Sequence, residues 1–286
     1  MDANSQMPSA SDKTASDKNS VQSLAKGFRV LEAFTADRIE MGLAEVARAA
    51  NIDNATAFRF LNTLVQLGYL EKLAEAKRFR LTLKCLDLGF NAIARTDLRE
   101  LARPLLRELV NDTIEAASIA VPDGIDIVYV ERVQAGLVRL GVDVRIGSRV
   151  PAYSTAVGQA ILAHLPHETQ VKLLEAAPRR KLTPTTLTRL DALLTKLEQI
   201  KRAGFALSDQ ENVTGLRVLA APVLDADGVP LAALSVAAPA FAMPLKAFDA
   251  ASRKPVMAAA AKLSRAVQAA GAGVSPMTQR QTAQQP

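Results

Sequence analysis

The sequence has no tryptophan, one cysteine and two histidines among its 286 residues. A single cysteine, Cys85, excludes an internal disulfide and any zinc site built from several cysteines. His164 and His167 lie close together near one helix end without further ligand-type residues beside them, so solvated or capping roles are the simpler interpretation. The motifs G-x-S-x-G and G-x-G-x-x-G and the Walker phosphate loop do not occur. We therefore predict no metal, no cofactor and no enzymatic activity.

Long apolar stretches are also missing. No uninterrupted run approaches the roughly 20 residues that a membrane-spanning helix needs, and the N-terminus lacks the hydrophobic segment of a secretory signal. We therefore expect a cytoplasmic protein without a membrane partner. Residues 1–19 and 271–286 are polar and are predicted to be disordered tails. The hydrophobic fraction of 49% and the charged fraction of 22% are typical of a chain with packed cores.

Residues 43–81 carry the clearest structural pattern. Apolar residues recur at helical spacing over 43–50 and again from about 54 to 67, and two short strand-like segments follow around a polar loop. A short helix, a tight turn, a second helix and a β-hairpin make a winged helix-turn-helix, which is a DNA-binding module. We place this module at residues 20–82 and predict a linker helix over residues 83–96.

Local signals mark the ends of both helices. Gly42 is an acceptable N-cap, and Glu45 lies three residues later, where its carboxylate can accept from the Gly42 amide. Asn51 tolerates the left-handed conformation of a tight turn, and Asp53 is a good N-cap for the second helix. Gly68 follows at the position of a residue that ends a helix.

The polar side of the second helix carries residue types that recognise DNA. Arg59 and Asn62 suit guanine and adenine edges, and Thr56 suits a phosphate or a thymine methyl group. Lys77 and Arg78 lie on the hairpin loop, where cations contact phosphates. The candidate DNA-binding residues are Asn54, Ala55, Thr56, Phe58, Arg59, Asn62, Lys77 and Arg78. Periodicity alone also fits a solvated helical hairpin, and the module is only mildly basic.

From Ala117 the apolar period changes from helical to strand-like. Patterns and turn residues predict strands over 118–121, 127–131, 137–142, 216–224 and 230–238, and helices over about 98–112, 187–202 and 246–268. We interpret residues 97–270 as one α+β domain, an antiparallel meander with helices on one face.

Residues 151–163 predict a capped helix with ligand-binding potential. Ser154 or Thr155 caps the helix, and the amides of Ala156, Val157 and Gly158 then face outward at the positive end of its dipole. Such an end can bind a carboxylate. The alternative is a capped helix that only packs against the sheet.

Several of these segments resemble one family. The segment VQSLAKGFRVL at residues 21–31 resembles the opening helix of IclR-type bacterial transcription regulators, and residues 43–47 and 56–69 resemble their second and recognition helices. The resemblance continues to about residue 265. It implies a winged helix-turn-helix, a linker helix and a GAF-like antiparallel-sheet effector-binding domain. It also implies a homodimer or dimer of dimers on double-stranded operator DNA, with RNA polymerase as a further candidate partner. Asn51 and Phe58 depart from the family pattern.

The same resemblance implies an effector site. In these regulators the segment matched by residues 151–163 holds a carboxylate, and residues 208–212 resemble the acidic stretch on the other side of the pocket. The implied effector-binding residues are Ser154, Thr155, Ala156, Val157, Gly158, Asp209, Leu216, Val218, Ser235 and Ala237. Arg217 lies between two of them and is expected on the opposite face of its strand. Residues 147–155 resemble the branch that controls aromatic-acid breakdown, which implies an aromatic carboxylate or its catabolite.

Two other functions fit parts of the sequence. A GAF-like small-molecule enzyme fused to a DNA-binding head would need a catalytic acid and base, and none is evident. A ligand-independent DNA-binding protein would not need the long, sheet-rich second domain. We therefore predict a DNA-binding transcriptional regulator controlled by a small carboxylate effector.

Overall fold

The computed structural model describes residues 21–73, 76–93, 98–111, 113–135 and 144–269, with the backbone alone at 89–93. The predicted tails and the predicted strand at 137–142 lie outside these residues. The chain divides into two compact units, residues 1–92 and 93–286. Within the described residues, no helix has the length and apolar character needed to cross a membrane.

The first unit is a helical module with a small sheet. Its elements are α1 (Gln22–Glu32), β1 (Glu40–Gly42), α2 (Leu43–Ala49), α3 (Asn54–Gln66), β2 (Leu70–Leu73), β3 (Arg78–Leu81) and α4 (Lys84–Ile93). The strands are antiparallel in the order β1-β3-β2. This is a winged helix-turn-helix, as predicted, with β1 added. Three residues are too few for β1 to show an alternating pattern in the sequence.

The predicted helix signals of the first unit are confirmed. The amide of Gly42 donates to Glu45 Oε2 at 2.7 Å, and Asp53 Oδ1 accepts from the amide of Thr56 at 2.8 Å. Asn51 has a φ of 51°, in the left-handed region. Inside the module, apolar residues from the helices and the sheet form one core, whose buried members include Val30, Phe34, Val46, Leu61, Leu70 and Phe79.

The second unit contains a six-stranded antiparallel sheet. Its elements are α5 (Leu98–Leu109), β4 (Ala116–Asp123), β5 (Asp126–Gln134), β6 (Arg149–Pro151), a 3-10 helix (Ala152–Ser154), α6 (Ala156–Leu162), α7 (His167–Glu175), α8 (Leu190–Ala203), β7 (Ala206–Asp209), β8 (Leu216–Leu224), β9 (Pro230–Pro239) and α9 (Leu245–Ala269). The strand order is β6-β5-β4-β9-β8-β7. The sequence patterns did not predict β6, α7 or β7.

Both faces of this sheet are covered by helices. One face, the α9 face, packs Ile119 and Leu234 in a core with α5 and α9. The other, the α6 face, packs Ala120 and Ala233 in a core with α6, α7 and α8. The prediction of a meander with helices on one face is therefore wrong. The physical reason is that β4 and β9 are buried on both sides, and they pair with each other although they are far apart in sequence.

Candidate functional site

Helix α3 has one buried side and one exposed side. Ala57, Leu61 and Leu64 are buried against the module. Of the predicted DNA-binding residues, the exposed ones on α3 are Asn54, Ala55, Phe58 and Arg59, and Asn62 is half-buried. Phe58 is 50% exposed, although an aromatic ring normally gains from burial. The outward side of α3 therefore presents these five side chains together.

Arg59 and Thr56 differ in how far their polar atoms are already used. The Arg59 side chain makes no hydrogen bond or ion pair with the residues that the structure describes. Thr56 donates its only hydroxyl proton to Asp53 Oδ2 at 2.7 Å, and this bond, with that of the Thr56 amide, lowers the pKa of Asp53. Thr56 is thus part of the helix cap, so a hydroxyl bond from it to phosphate would require it to leave Asp53.

The two predicted wing residues also differ. Lys77 is exposed on the hairpin turn with a φ of 49°. Arg78 Nη2 instead donates to the Glu40 carbonyl at 2.7 Å and to Glu45 Oε2 at 2.9 Å. The Gly42 amide and the charge of Arg78 both lower the pKa of Glu45. Arg78 therefore links the wing to the start of α2 through hydrogen bonds. Lys77 is the more accessible of the two cations for a phosphate.

The start of α4 is fastened to the end of α3. Lys84 Nζ donates to the Leu67 carbonyl at 2.8 Å, and its ammonium lies 5.0 Å from the centroid of the Tyr69 ring. Thr82 Oγ1 donates to the Gly68 carbonyl at 2.5 Å. Cations near a helix C-terminus are favourable because they meet unpaired carbonyls and the negative end of the dipole. Helices α3 and α4 are therefore joined by specific polar contacts.

In the second unit, the N-terminus of α6 is formed mostly as predicted. Thr155 is the N-cap, and its hydroxyl accepts from the Gly158 amide at 3.0 Å. The Gly158 amide is therefore not free for a ligand, which corrects the prediction for that residue. For the first two helix amides, of Ala156 and Val157, the described residues offer no acceptor outside the helix. The anion site at these two amides stays a prediction.

Two backbone segments approach closely at Gly158. A Cβ added there would lie 2.3 Å from both the Cα and the carbonyl oxygen of Ala152. Because Cβ atoms do not approach other atoms so closely, only glycine fits this crossing. Gly158 therefore sets how near α6 lies to the preceding 3-10 helix, and it does not open space for a ligand.

The segment after β7, at residues 211–212, is hydrogen-bonded to residues at the start of α6. Ser154 Oγ donates to Asn212 Oδ1 at 3.0 Å, and Gln159 Nε2 donates to Glu211 Oε2 at 3.0 Å. Glu211 also forms an ion pair with Lys196 on α8, and both side chains are largely buried. Ser154 is thus held by protein contacts, and residues 211–212 form one wall beside the α6 N-terminus.

Antiparallel pairing determines which side chains share the α6 face. Directly opposite residues project to the same face, and the register places Ser118 opposite Ser235 and Val218 opposite Ala237. Ser208 lies opposite Val218 and therefore joins this face. Of the predicted effector residues, the α6 face carries Leu216, Val218, Ser235 and Ala237.

The structure contradicts the predicted place of Asp209 in the pocket. Asp209 lies opposite Arg217 on the α9 face, and its Oδ1 accepts from Arg217 Nε at 2.8 Å. Arg217 was expected on the face away from the pocket, and this is confirmed. Consecutive strand residues project to opposite faces, so Ser208 takes the pocket position that Asp209 was expected to fill.

Sequence reasoning also missed two polar residues on the α6 face, Ser118 and Arg132. They lie directly opposite each other on β4 and β5, and Arg132 Nη1 donates to Ser118 Oγ at 3.0 Å. Alternation along β4 would have placed Ser118 on the same side as Ala116 and Ala120. What the sequence did not reveal is that β9, with Ser235, lies next to β4.

A separate cavity of about 320 Å³ lies beside the 3-10 helix, with Ile125, Tyr153 and Leu182 among its walls. None of the ten predicted effector residues lines it. Its Tyr153 hydroxyl donates to the Arg180 carbonyl, and its Arg179 Nε donates to the Thr188 carbonyl. These two donors are already used, whereas the exposed Arg180 also lines the cavity.

Comparison with known families matches both units. Residues 23–74 match the IclR helix-turn-helix domain, and residues 90–265 match the bacterial transcriptional regulator IclR C-terminal domain. The chain belongs to the IclR family.

Individual members of the IclR family extend this result. The chain is 35% identical to the HTH-type transcriptional regulator KdgR of Escherichia coli (strain K12), over 77% of this chain and 83% of that protein. It is 33% identical to the Pca regulon regulatory protein of Pseudomonas putida, over 77% and 75%. It is also 33% identical to the p-hydroxybenzoate hydroxylase transcriptional activator of Acinetobacter baylyi (strain ATCC 33305 / BD413 / ADP1), over 75% and 80%.

Solved structures share the IclR fold. A transcriptional regulator from Rhodococcus sp. RHA1 superposes with a TM-score of 0.79 at 34% identity, covering 88% of this chain and 100% of that one. An IclR homologue from Microbacterium hydrocarbonoxydans, complexed with 4-hydroxybenzoate, has a TM-score of 0.76 at 24% identity, covering 86% and 99%. At that identity the second likeness supports the fold alone.

The IclR assignment establishes a DNA-binding transcriptional regulator. Regulators of this family bind DNA and small-molecule effectors and form oligomers. The named relatives are regulators, a class that is generally not enzymatic, and this favours regulation over the enzyme alternative. Within the described residues, no group of three or more His, Cys, Asp and Glu side chains is arranged to hold a metal ion.

Proposed function

We propose that this IclR-family regulator binds a pseudo-palindromic operator in the cytoplasm through α3 and responds to an aromatic carboxylate or one of its catabolites. The observation that carries the DNA-binding mode is the outward side of α3. There Arg59 is exposed, without a hydrogen bond or ion pair to the described residues, next to the exposed Asn54 and Phe58. A guanidinium in that state is available to form two hydrogen bonds with a guanine edge in the major groove.

The wing supplies a second, sequence-independent contact. Lys77 is exposed at the hairpin turn, beyond the strands that carry the wing. A cation there suits a backbone phosphate, which positions the module on DNA without selecting a sequence. We therefore assign recognition to α3 and positioning to Lys77.

Exposed apolar side chains support a homodimer. Val21, Leu24 and Phe28 on and before α1 are each about half exposed or more, as are Leu83 and Leu86 at the start of α4. The spacing from residue 21 to 24 and 28 puts the first three on one side of a helix. A second copy that covered these residues would bury apolar area, and a two-fold dimer would match two half-sites of one operator.

The α6 face is the proposed effector site. Ser118, Ser208 and Ser235 supply hydroxyls among small apolar residues, and the amides of Ala156 and Val157 can donate to an effector oxygen. The preference for an aromatic acid rests on the relatives that regulate the pca regulon and p-hydroxybenzoate hydroxylase. The effector changes DNA binding only if it has different affinities for two arrangements of the protein.

Selection from a random pool of duplex DNA with the full chain tests the DNA-binding mode. We expect enrichment of a two-fold symmetric motif and, by fluorescence anisotropy, a loss of about 1–3 kcal/mol of specific binding in Arg59→Ala. Arg265→Ala, which removes an exposed arginine of α9, is the matched control and should bind normally. Equal affinities of both variants for the selected motif would remove Arg59 from the interface.

A thermal-shift screen against small carboxylates tests the effector class. A ligand at a hundredfold excess over its dissociation constant stabilises the folded state by about 2.7 kcal/mol. We expect benzoate and 4-hydroxybenzoate to raise the unfolding temperature more than acetate and pyruvate do. A response to the aliphatic acids alone would reject the aromatic class and leave the regulator intact.

A further inference from the structure

Arg132 is a charged residue on the otherwise neutral α6 face. It lies on β5 opposite Ser118, and Ser118 lies opposite Ser235 on β9. Ser235 in turn lies opposite Ala220, which belongs to the core under α6. One row of side chains across the sheet therefore begins with the Arg132 guanidinium, continues with the hydroxyls of Ser118 and Ser235, and ends in the apolar core.

The guanidinium of Arg132 meets neutral acceptors. Its Nη1 donates to Ser118 Oγ at 3.0 Å. In one orientation of the Gln134 amide, Gln134 Oε1 accepts from both Nε and Nη2 at 3.1 Å each. No carboxylate among the described residues lies within ion-pair distance of Arg132. Half-burial lowers the pKa of Arg132, opposed by the nearby side chains of Tyr129 and Glu115.

Among the described residues, the groups that hydrogen-bond the partly desolvated Arg132 guanidinium are neutral, and the Glu115 carboxylate acts on it without forming an ion pair. Removing a charge from water is costly unless an opposite charge or several good hydrogen bonds replace the lost hydration. The Nε–Nη2 edge has the fork geometry that binds a carboxylate through two parallel bonds. Gln134 occupies that edge with a single neutral oxygen, and its side chain is exposed and therefore free to move aside.

We propose that Arg132 binds the carboxylate of the effector through Nε and Nη2, displacing the amide of Gln134. This inference rests on the proposed effector site on the α6 face. The amides of Ala156 and Val157 are then left for the other polar group of the ligand, such as a ring hydroxyl. Arg132 is thereby the residue that makes the site selective for acids over their neutral analogues.

The neighbours of Arg132 on the α6 face are an aromatic ring, small apolar residues and a hydroxyl. Tyr129, on the same strand, is buried in the α6-face core with Ala120 and Ala233; burial raises the pKa of its phenol, and the nearby charge of Arg132 opposes this. Ala120 and Ala233 are fully buried and Tyr129 nearly so, so the apolar part of this face is already packed, and a ligand reaches Arg132 from the exposed side, where Gln134 lies. Ser118 keeps its hydroxyl directed to the guanidinium and so orients it.

Isothermal titration of the full chain with 4-hydroxybenzoate and 4-hydroxybenzamide tests the proposal. The two probes differ in charge and are nearly equal in shape. We expect the wild-type protein to prefer the acid, and we expect Arg132→Gln to weaken binding of the acid about 10- to 100-fold, as for a lost charged hydrogen bond, with little change for the amide. A folding defect would weaken both probes equally, so the ratio of the two affinities separates recognition from stability.

A second variant blocks the proposed carboxylate site while keeping Arg132. Gln134→Glu places a carboxylate on the Nε–Nη2 edge, and it should compete with the acid and weaken its binding about as much as Arg132→Gln does. Gln199→Glu, an exposed position of α8, carries the same charge change and should bind the acid normally.

Three outcomes are distinct. The proposal that Arg132 binds the effector carboxylate is supported if Arg132→Gln and Gln134→Glu both lose binding of 4-hydroxybenzoate. Binding of 4-hydroxybenzamide, and binding of the acid by Gln199→Glu, should be unaffected. Normal acid binding by Arg132→Gln and Gln134→Glu overturns this proposal and leaves the proposed effector class standing. A wild-type protein that binds neither benzoate nor 4-hydroxybenzoate overturns both the role of Arg132 and the aromatic effector class. DNA selection with the same protein still tests whether it binds an operator.

Discussion

Gly158 illustrates how one residue determines the approach of two backbone segments. The atom missing from its side chain would occupy the position of the Ala152 backbone, at 2.3 Å. Backbone cannot move aside as a flexible side chain can. The sequence predicts Gly158 in a ligand site, whereas the structure shows that its close neighbour is the backbone of the chain itself.

We predict that Gly158→Ala destabilises the second unit. The added methyl overpacks a buried crossing, which costs about 1–3 kcal/mol or more. Thermal unfolding followed by circular dichroism suits a protein without tryptophan. Gly27→Ala is the control, because a Cβ there would meet the Phe60 ring at an ordinary 3.6 Å. If Gly158→Ala is as stable as Gly27→Ala, the Ala152 backbone does not exclude a side chain at residue 158.

At the residue scale, the sequence predicted the hydrogen bonds that form between residues close together in the chain. The bonds from Gly42 to Glu45 and from Thr56 to Asp53 span three residues, so a local pattern suffices to predict them. The side of the sheet on which Asp209 lies depends on its pairing with Arg217. If the alternation along a strand is misassigned by one residue, a side chain is placed on the wrong face of the sheet. Strand β7 is too short to show an alternating pattern that would determine this assignment.

Among elements, the junction of α3 and α4 bears on the proposed DNA contact. Lys84 supplies both a hydrogen bond to the last turn of α3 and a cation–π contact with Tyr69. Each contact is modest, but both act at the end of the helix that carries Arg59. The position of α3 is therefore coupled to that of α4.

We predict that Lys84→Met lowers the stability of the first unit by about 1 kcal/mol, the sum of a weak hydrogen bond and an exposed cation–π contact. Urea unfolding followed by circular dichroism measures it. Lys72→Met is the matched control, since Lys72 is exposed on β2 and has no such contacts among the described residues. If both variants lose the same stability, Lys84 does not cap α3.

Element-scale predictions from the sequence succeeded for long patterns and failed for short ones. The pattern behind α9 extends over more than twenty residues and was placed within a residue at each end. In contrast, β6 has three residues and β7 has four, too few to show a period. The nearly continuous apolar run of β9 marks a strand buried on both faces, a signal that would have corrected the one-sided sheet.

At the scale of the whole molecule, acid should weaken the first unit. Hydrogen bonds from Thr56 lower the pKa of Asp53 below its ordinary 3.8, and the Gly42 amide and Arg78 lower that of Glu45 below 4.5. A carboxyl with a depressed folded pKa stabilises the fold above its ordinary pKa, and this contribution is lost as pH falls through the folded value.

We therefore predict that the unfolding temperature of the full chain falls as pH decreases from about 6 to below these ordinary values. Both groups are on the surface, so added salt should reduce the effect. Asp53→Asn keeps an N-cap but does not titrate, and its unfolding temperature should vary less with pH. An unchanged profile in that variant would show that Asp53 does not contribute.

The pairing of β4 with β9 is the feature of the second unit that the sequence concealed most. Ser118 and Ser235 are 117 residues apart in the chain, and no local pattern connects them. In the first unit the strands that meet are closer, and Arg78 bonds to Glu40 across 38 residues. The β2–β3 hairpin of the small sheet could thus be inferred from neighbouring segments, whereas its β1 edge and the centre of the large sheet could not.

That separation has a consequence for the newly made protein. A ribosome releases the first unit complete before it has begun β4, and local contacts form quickly. The large sheet has no centre until β9 has emerged, because β4 must wait for a partner translated 117 residues later. We therefore expect each nascent chain to pass through a period in which its first unit is folded and its second unit is not, so that the proposed DNA-contacting side of α3 exists before the proposed effector site does.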